Sequence, residues 1–279
     1  DAKEMANFLR TMEEFSEVQR EIFKIKNKVS ELLKTHPNSS KRVQEVIESY
    51  KGKTQLNPIV GREIFLKKID GINYGDRPEE GFFYRDSFVH KPLEFKFAFS
   101  KDFYFINNPN SLIGITKKET KVIFDLHQDA GKNNIDYISK WLKIKKKQIS
   151  NFETRSRDNF SVNLGRFEKN KKTYAFGTVQ ESKELTYRFL LISTKEEFDD
   201  YSETFEKMVL SFSKLSALQL KALKQPVIKV ITAPSNPESI EDIIKNMNIQ
   251  SMHSRKIFSN LNDLKDNKLK PNQKIKTIY

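Results

Sequence analysis

The chain of 279 residues contains no cysteine and only nine glycines, four histidines and one tryptophan. The absence of cysteine excludes disulfides and thiolate metal sites, and it suits an oxidising envelope compartment as well as the cytosol. So few glycines disfavour phosphate-cradling loops, and neither a G-x-x-x-x-G-K-[ST] loop nor a G-x-S-x-G nucleophile elbow occurs. No apolar run approaches the ~18–20 residues that a transmembrane helix needs.

The four histidines form no recognisable catalytic pattern. None of them is followed by glutamate, and no two are four residues apart. The H-E-x-x-H helix, which directs two imidazoles at zinc with glutamate as the base, is therefore absent. We predict a structural role for His90 at a strand end, and solvent-facing positions for His127 and His253.

The net charge of +13 raises the question of nucleic-acid binding. The charge is spread along the chain, with one dense run over Lys143–Lys147. No zinc-finger spacing, RNP pattern or basic region with heptads accompanies it. Attraction to any polyanion follows from the charge, but specific base readout does not. We favour a solvated basic surface or attraction to an anionic envelope over nucleic acid as a partner.

The first ~50 residues have the periodicity of helices. One apolar stripe recurs at three- and four-residue steps through Met5, Phe8, Leu9, Met12, Phe15, Val18 and Ile22. Such a stripe predicts a helix face packed on a neighbour. The pattern breaks over Lys51–Pro58, which we take as the first domain boundary. Because the chain begins with Asp1 and enters helical periodicity at once, we expect it to continue an upstream domain.

Residues 56–224 show a period of two in several runs. Apolar residues alternate with polar ones at Leu93, Phe95, Phe97 and Phe99, at Val122, Phe124 and Leu126, and at Leu185, Tyr187, Phe189 and Leu191. Two helical stretches interrupt these predicted strands, one around Ile135–Leu142 and a longer one around Phe198–Phe212. Strands grouped together with few helices predict an α+β domain with a mainly antiparallel sheet. Residues 225–279 predict a small strand–helix–helix–strand unit.

His36 lies in a short loop, Thr35-His36-Pro37, that precedes a helix capped by Ser39 or Ser40. Taken from the residues alone, the favoured interpretation is a structural position just before a helix cap. A ligand or switch role for His36 is the alternative that the pattern leaves open.

Two stretches of the N-terminal region resemble the end of the catalytic domain of HtpX/BepA-like zinc metalloproteases. They are Asp1–Met12 and the T-H-P loop with its following Arg42-Val43. In that family the H-E-x-x-H helix and a later glutamate ligand come before these stretches, so the resemblance implies no catalytic residue here and no zinc in this chain alone. It implies that His36 lies close to the zinc of a full-length parent, as a regulatory or metal-capping residue, with Arg42 following it.

Past the first boundary, Asp70–Phe82 and the following Phe88–Phe95 are similar to a C-terminal extension found in some of these proteases. The most specific match is Tyr74–Phe82, with the pattern Y-G-D-x-P-x-x-G-F, and Leu93–Phe103 is similar to the opening of PsbP/Mog1-type α/β domains. The last ~50 residues resemble a LysM module. A LysM module usually opens with a G-D-T turn, where this chain has Pro234–Pro237, so glycan binding is left open.

The sequence therefore predicts three parts: a helical tail of a peptidase domain (1–55), a central α+β domain (56–224) and a LysM-like domain (225–279). The function implied by the resemblance is that of the non-catalytic C-terminal part of a periplasmic or envelope zinc metalloendopeptidase, active in gating, positioning or recruitment. Its implied partners are the upstream peptidase domain and envelope proteins or peptidoglycan. The alternative is a stand-alone envelope module that binds protein or peptidoglycan without protease activity.

Overall fold

The computed structural model describes residues 5–12, 39–49, 61–118, 120–128, 131, 134–264, 269–270 and 272–279. The helices in these ranges are α1 (residues 5–12), α2 (Ser39–Ser49), α3 (Arg62–Ile69), α4 (Ile135–Leu142), α5 (Lys195–Leu210), α6 (Ala217–Ala222), α7 (Pro237–Lys245) and α8 (Ser254–Asn262). Short 3-10 turns occur at Pro78–Glu80, Lys146–Gln148 and Ser251–His253. No helix in the described ranges is long and apolar enough to cross a membrane.

The strands are short at the beginning of the chain and long in its middle. They are β1 (Phe82–Phe83), β2 (Ser87–His90), β3 (Phe95–Ala98), β4 (Tyr104–Asn108), β5 (Ser111–Ile115), β6 (Lys121–Gln128), β7 (Ser150–Arg157), β8 (Phe160–Lys169), β9 (Lys172–Ser182), β10 (Leu185–Ser193), β11 (Ser213–Lys214), β12 (Ile228–Thr232) and β13 (Lys274–Ile278). The paired strands are antiparallel. The predicted α+β class with a mainly antiparallel sheet is confirmed.

The described chain forms two compact units. The first comprises the described residues within 1–74, 226–248 and 253–279, and the second comprises those within 75–225 and 249–252. The three-part division drawn from the sequence stays a prediction.

The second unit is built on a seven-stranded sheet in the order β4-β5-β6-β10-β9-β8-β7, beside a four-stranded sheet in the order β1-β2-β3-β11. One face of the large sheet packs on the small sheet and on α5 through an aromatic core. The ring centroids of Phe97 and Phe124 are 4.8 Å apart, and those of Phe124 and Phe189 are 4.7 Å apart. Helix α5 contributes Phe205, Met208 and Val209 to the same core. This core explains the period-two runs, since alternate residues of β3, β6 and β10 point into it.

The opposite face of the large sheet carries α4. Asn134 caps this helix by accepting hydrogen bonds from the backbone N–H groups of Asp136 and Tyr137. Ile138 of α4 is fully buried and packs in one cluster with Phe167 and Phe176, which lie on β8 and β9. Helix α4 thus covers only part of this face, and the candidate site lies beside it.

The side chain of Gln250 lies against edge strand β4. Its Oε1 accepts a hydrogen bond from the backbone N–H of Phe105 at 2.7 Å, and its Nε2 donates one to the carbonyl of Phe105 at 2.8 Å. The amide thus satisfies both backbone groups of one residue on the outer side of the strand, which an edge strand otherwise leaves unpaired.

The first unit pairs β12 with β13 and places α3, α7 and α8 around them. Residues just before the second unit add to this small sheet: the backbone N–H of Gly71 donates to Ile228 O at 2.7 Å, and Asn73 forms a bridge with Val227. The core of the unit is small, with Leu66, Ile244, Met247, Ile257, Phe258, Ile275 and Ile278 buried. The order β12-α7-α8-β13 confirms the strand–helix–helix–strand prediction.

The hydroxyl of Tyr187 is buried in the aromatic core without a hydrogen-bond partner among the described residues. Because an unsatisfied buried hydroxyl costs about 1–3 kcal/mol, we expect Tyr187→Phe to raise the free energy of unfolding by about 1 kcal/mol at neutral pH. Burial, with a smaller effect of the Glu181 charge, raises the pKa of Tyr187 from 10.0 to about 12. The wild type is then expected to lose stability as the pH rises above 10 and through 12, since only the unfolded chain ionises this phenol freely.

Urea unfolding at pH 7 and at about pH 11 tests this expectation. The free energy of unfolding of the variant should exceed that of the wild type at neutral pH, and the difference should be larger at alkaline pH. Tyr174→Phe is the control, because Tyr174 is only partly buried and stacks on Phe167. A Tyr187→Phe protein that is less stable than the wild type would show that the hydroxyl has a stabilising partner.

Candidate functional site

A row of polar side chains crosses five strands on the α4 face of the large sheet. The register places Asp125 opposite Arg188, Arg188 opposite Thr178, Thr178 opposite Asn163, and Asn163 opposite Thr154. We call these five residues the polar row. Asn163 and Thr178 are fully buried. Polar groups in the middle of a sheet require hydrogen-bond partners, and the row supplies them from strand to strand.

The hydrogen bonds of the polar row run sideways across the sheet. Thr154 Oγ1 donates to Asn163 Oδ1 at 2.7 Å, and Asn163 Nδ2 donates to Thr178 Oγ1 at 3.4 Å. At the other end, Arg188 Nε and Nη2 donate to the two carboxylate oxygens of Asp125 at 2.6 and 2.7 Å. Such charge-assisted, bidentate hydrogen bonds are stronger than bonds between neutral groups.

The Arg188–Asp125 pair is largely buried, with the two side chains 15% and 25% exposed. The guanidinium of Arg188 also lies over the Trp141 ring of α4, 5.0 Å from its centroid. Burial alone would lower the pKa of Arg188, but the hydrogen bond and charge of Asp125 outweigh it and raise that pKa. The pair therefore stays charged, and it fixes one face of α4 against β6 and β10.

Tyr137 and His127 border the pair on its solvent side. The Tyr137 hydroxyl lies 3.3 Å from His127 Nδ1, and the centroids of the two rings are 5.7 Å apart. Burial raises the pKa of Tyr137, while the charge of nearby Arg188 opposes that effect. His127 is exposed, as the sequence predicts. The phenol and the imidazole give this border a hydrogen-bonding edge that a ligand can reach.

An apolar row runs beside the polar row. The register aligns Ile106 with Ile113, Ile113 with Ile123, and Ile123 with Leu190. Leu190 packs in the cluster under α4, whereas the three isoleucines on β4, β5 and β6 are half-buried. We call Ile106, Ile113 and Ile123, together with the adjoining Asp125–Arg188 pair, the sheet-face site. It offers an apolar strip with a fixed charge pair along one side.

Two clefts also open on the second unit. The larger, of about 570 Å³, lies between α5 and strands β7 to β9, with Phe152, Leu164 and Phe205 in its lining. Arg155 bridges its sides through ion pairs to Glu153 on β7 and Glu206 on α5, at 2.7 and 2.9 Å. The smaller, of about 310 Å³, is lined by Lys101, Asp102, Lys117, Tyr201, Ser251 and Met252. Neither lining combines a nucleophile with a histidine base.

The described residues provide no group of three or more histidine, aspartate or glutamate side chains that could hold a metal ion. At the sheet-face site, both carboxylate oxygens of Asp125 accept from Arg188, and His127 Nδ1 faces Tyr137. A zinc site needs such ligands free to bind the ion together with at least one more. The side chains at this site do not fit zinc.

The residues singled out in the sequence lie away from the sheet-face site. His36 lies outside the described residues, and so does the side chain of Arg42, whose backbone belongs to α2. His90 ends β2, where its Nδ1 accepts from the backbone N–H of Leu93 at 3.1 Å, and burial lowers its pKa. His253 is the N-cap residue of α8. The structural role predicted for His90 at a strand end is confirmed.

The segment Tyr74–Phe82 has a structural explanation in its backbone. Gly75 and Gly81 have φ angles of +92° and +79°, and the intervening Pro78–Glu80 forms a 3-10 turn. The backbone carbonyl of Asp76 accepts a hydrogen bond from Gln225 Nε2 at 2.6 Å. Burial raises the pKa of Asp76, whereas a hydrogen bond from Asn107 partly lowers it. The pattern thus encodes the turn that leads into β1.

Sequence comparison gives this chain no relatives: no family model matches it, and no curated protein does. Solved structures give weak likenesses. The cyanobacterial PsbP from Synechocystis is 10% identical, covers 50% of this chain and 98% of its own, and has a TM-score of 0.37. LpqN of Mycobacterium tuberculosis, described as involved in cell envelope biogenesis, is 11% identical with coverages of 44% and 83% and a TM-score of 0.33. A crystal structure from Bacteroides thetaiotaomicron is 9% identical, with coverages of 67% and 64% and a TM-score of 0.34.

Proposed function

We propose that this chain is the non-catalytic C-terminal part of an envelope zinc metalloendopeptidase, in which it serves positioning, gating or recruitment. The observation that carries the proposal is the surface of α1, in the stretch that resembles the peptidase helix. Its apolar side chains Met5, Phe8 and Met12 are 51%, 57% and 36% exposed. An apolar stripe on a helix is normally buried against a neighbour, and we assign that neighbour as the peptidase domain.

In the parent enzyme, zinc would supply an activated water for attack on a peptide carbonyl. The part of this chain next to that chemistry is the T-H-P loop. We assign His36 a place near the metal, where an imidazole can cap or gate it, and Arg42 a supporting place in α2. Both assignments follow from the resemblance of the loop to the protease family.

The sheet-face site is the surface that we assign to the recruitment of other proteins. An extended protein segment can lay apolar side chains on Ile106, Ile113 and Ile123, while the Arg188–Asp125 pair and Tyr137 offer hydrogen bonds beside them. The unit formed by β12, α7, α8 and β13 is a second candidate surface, for envelope protein or peptidoglycan. With these assignments we propose a location in the periplasm or cell envelope.

His36→Ala tests the proposal in the intact protein from its source, after mass spectrometry has identified the peptides that precede Asp1. If an H-E-x-x-H peptide belongs to the same polypeptide, we expect the substitution to change peptidase activity or zinc affinity by about tenfold, as for residues that support a metal site. Folding should be unchanged, as judged by the melting temperature. The control is His253→Ala, which removes an imidazole from the N-cap of α8. Unchanged activity and zinc affinity in the His36 variant would return this residue to a structural role.

The sheet-face site also supports a second function, that of an envelope binding module without a protease attached. The same peptide mapping separates the two functions. A native polypeptide without an H-E-x-x-H peptide before Asp1 would sink the protease proposal and leave the binding module, whose surface is the isoleucine strip beside Arg188.

A further inference from the structure

The positive charge of the second unit is concentrated at one end of its large sheet. The strand ends and connections at the end where β6 begins and β10 finishes carry twelve lysines. We call this set the lysine end: Lys101, Lys117, Lys118, Lys121, Lys143, Lys145, Lys146, Lys147, Lys169, Lys171, Lys172 and Lys195. All are exposed except Lys121, which is half-buried. The acidic side chains described at this end are fewer: Asp102, Glu168, Glu196 and Glu197 in the connections, and Asp136 and Asp200 on the neighbouring helices.

The opposite end of the same sheet is balanced. Its described hairpin connections carry the cations Arg157 and Lys183 and the acids Asp158, Glu181 and Glu184. The two ends therefore differ because the fold places most of the lysines at one of them. The overall charge of +13 alone does not produce this difference. A chain that merely needed charge for solubility would distribute it over both ends.

Two rigid turns hold lysines next to each other at this end. The hairpin between β8 and β9 turns through Asn170 and Lys171, with φ angles of 51° and 60°, as in a tight two-residue hairpin loop. The other turn is the 3-10 turn Lys146–Gln148, which Gln148 closes by accepting from the backbone N–H of Lys145 at 2.8 Å. Lys169 Nζ joins the two turns through a hydrogen bond to Lys143 O at 3.4 Å.

The chemistry of the lysine end fits an anionic lipid surface. Its cations are ammonium groups, which act as point charges on phosphate without demanding a fixed geometry. The large apolar side chains that are exposed on the second unit, Leu126 and Leu218, lie elsewhere. Binding to single-stranded nucleic acid relies on aromatic platforms for bases, and no aromatic side chain of the described part is exposed at this end. Lys118 and Lys146 form ion pairs with Asp200 and Asp136.

We propose that the lysine end is a membrane-docking surface that binds the headgroups of anionic phospholipids by charge alone. Each lysine near such a surface contributes about a fivefold factor in affinity. Without an exposed apolar side chain to insert, the bound state is reversible and is weakened by salt on the scale of the Debye length. The proposal is independent of any attached peptidase, because every residue in it belongs to the second unit.

Vesicle co-sedimentation of the full chain tests the proposal. The vesicles are phosphatidylcholine alone, and phosphatidylcholine with about one third phosphatidylglycerol. We expect binding to the anionic vesicles only, with release at about 0.5 M salt. Replacing Lys145, Lys147, Lys171 and Lys172 together by Gln should weaken binding at least thirtyfold. The matched control replaces Lys183, Lys207, Lys221 and Lys224 by Gln, which changes the net charge equally and should weaken binding less than threefold.

The replaced lysines are exposed, so both variants should melt at the wild-type temperature, and this is measured first. Equal weakening by both variants would overturn the proposal in favour of a general charge effect. Binding to neutral vesicles, or binding that survives high salt, would overturn it as well. Tighter binding to a duplex or single-stranded oligonucleotide at the same salt, with the same dependence on the four lysines, would assign the end to nucleic acid instead.

Discussion

Gly81→Ala is expected to destabilise the second unit by about 3 kcal/mol or more. Gly81 adopts φ 79° and ψ 166°, a region of backbone conformation that is essentially reserved for glycine and costs other residues about 1–3 kcal/mol. A Cβ at this position would also lie 2.4 Å from the ring of buried Phe88 and 3.0 Å from the carbonyl of Val89. Relief of that clash would cost about 1–3 kcal/mol more. Urea unfolding, followed by aromatic fluorescence, measures the sum.

Gly75→Ala separates the cost of the backbone conformation from the cost of the Cβ clash. Gly75 also has a positive φ, +92°, but a Cβ there would meet no atom within 4 Å. We expect this variant to lose only the backbone part, about 1 kcal/mol. If the two variants lose the same stability, the Phe88 ring yields to the added methyl group, and the closing glycine of the Y-G-D-x-P-x-x-G-F segment is required for its backbone alone.

The parts of the fold that the sequence predicted are those whose buried side is apolar. The alternation at Phe95 and Phe97 became β3, that at Val122 and Phe124 became β6, and that around Phe189 became β10. Each of these strands sends its apolar residues into one aromatic core. The two helices predicted in the middle of the chain are α4 and α5, whose apolar stripes face the two sides of the large sheet.

The longest strands, β8 and β9, were not predicted. Strand β9 buries apolar side chains on both faces, Val179 in the aromatic core and Phe176 under α4, so its sequence has no clear period of two. On the α4 side the two strands also bury the polar residues Asn163, Thr178 and Gln180. Such polar positions become favourable only when neighbouring strands provide hydrogen-bond partners. That register is a property of the assembled sheet. A sequence signal does exist in retrospect, since asparagine in mid-strand is uncommon and marks a position with a specific partner.

The sheet-face site was missed for the same reason. Its residues Ile106, Ile113, Ile123, Asp125 and Arg188 come from four strands. Nothing in their sequence spacing brings Arg188 to Asp125 across 63 residues. The histidine loop at His36, by contrast, was a local pattern, and it lies outside the described residues. Local patterns can be found in one sequence, while a site assembled by strand register needs the fold.

The second large effect is expected at the Arg188–Asp125 pair. Arg188→Met keeps a long side chain against Trp141 but leaves the largely buried carboxylate of Asp125 without its two donors. Removing one partner of a buried pair costs about 3–5 kcal/mol. Because these side chains are 15% and 25% exposed, water can reach the orphaned charge in part, and we expect a loss of about 2–3 kcal/mol. Chemical denaturation of the purified chain measures it.

A double-mutant cycle decides whether that loss belongs to the pair or to Arg188 alone. The second single variant is Asp125→Leu, which orphans the guanidinium beside Trp141, and the double variant replaces the ion pair with apolar side chains. We expect the double variant to lose less than the sum of the two singles by about 1–2 kcal/mol, because it leaves no unpaired charge under α4. Strict additivity would mean that water already solvates both groups and that the pair does not fix α4 on the sheet. A positive coupling would instead show that the charge bordering the isoleucine strip is held rigidly, which a surface that binds a protein segment requires.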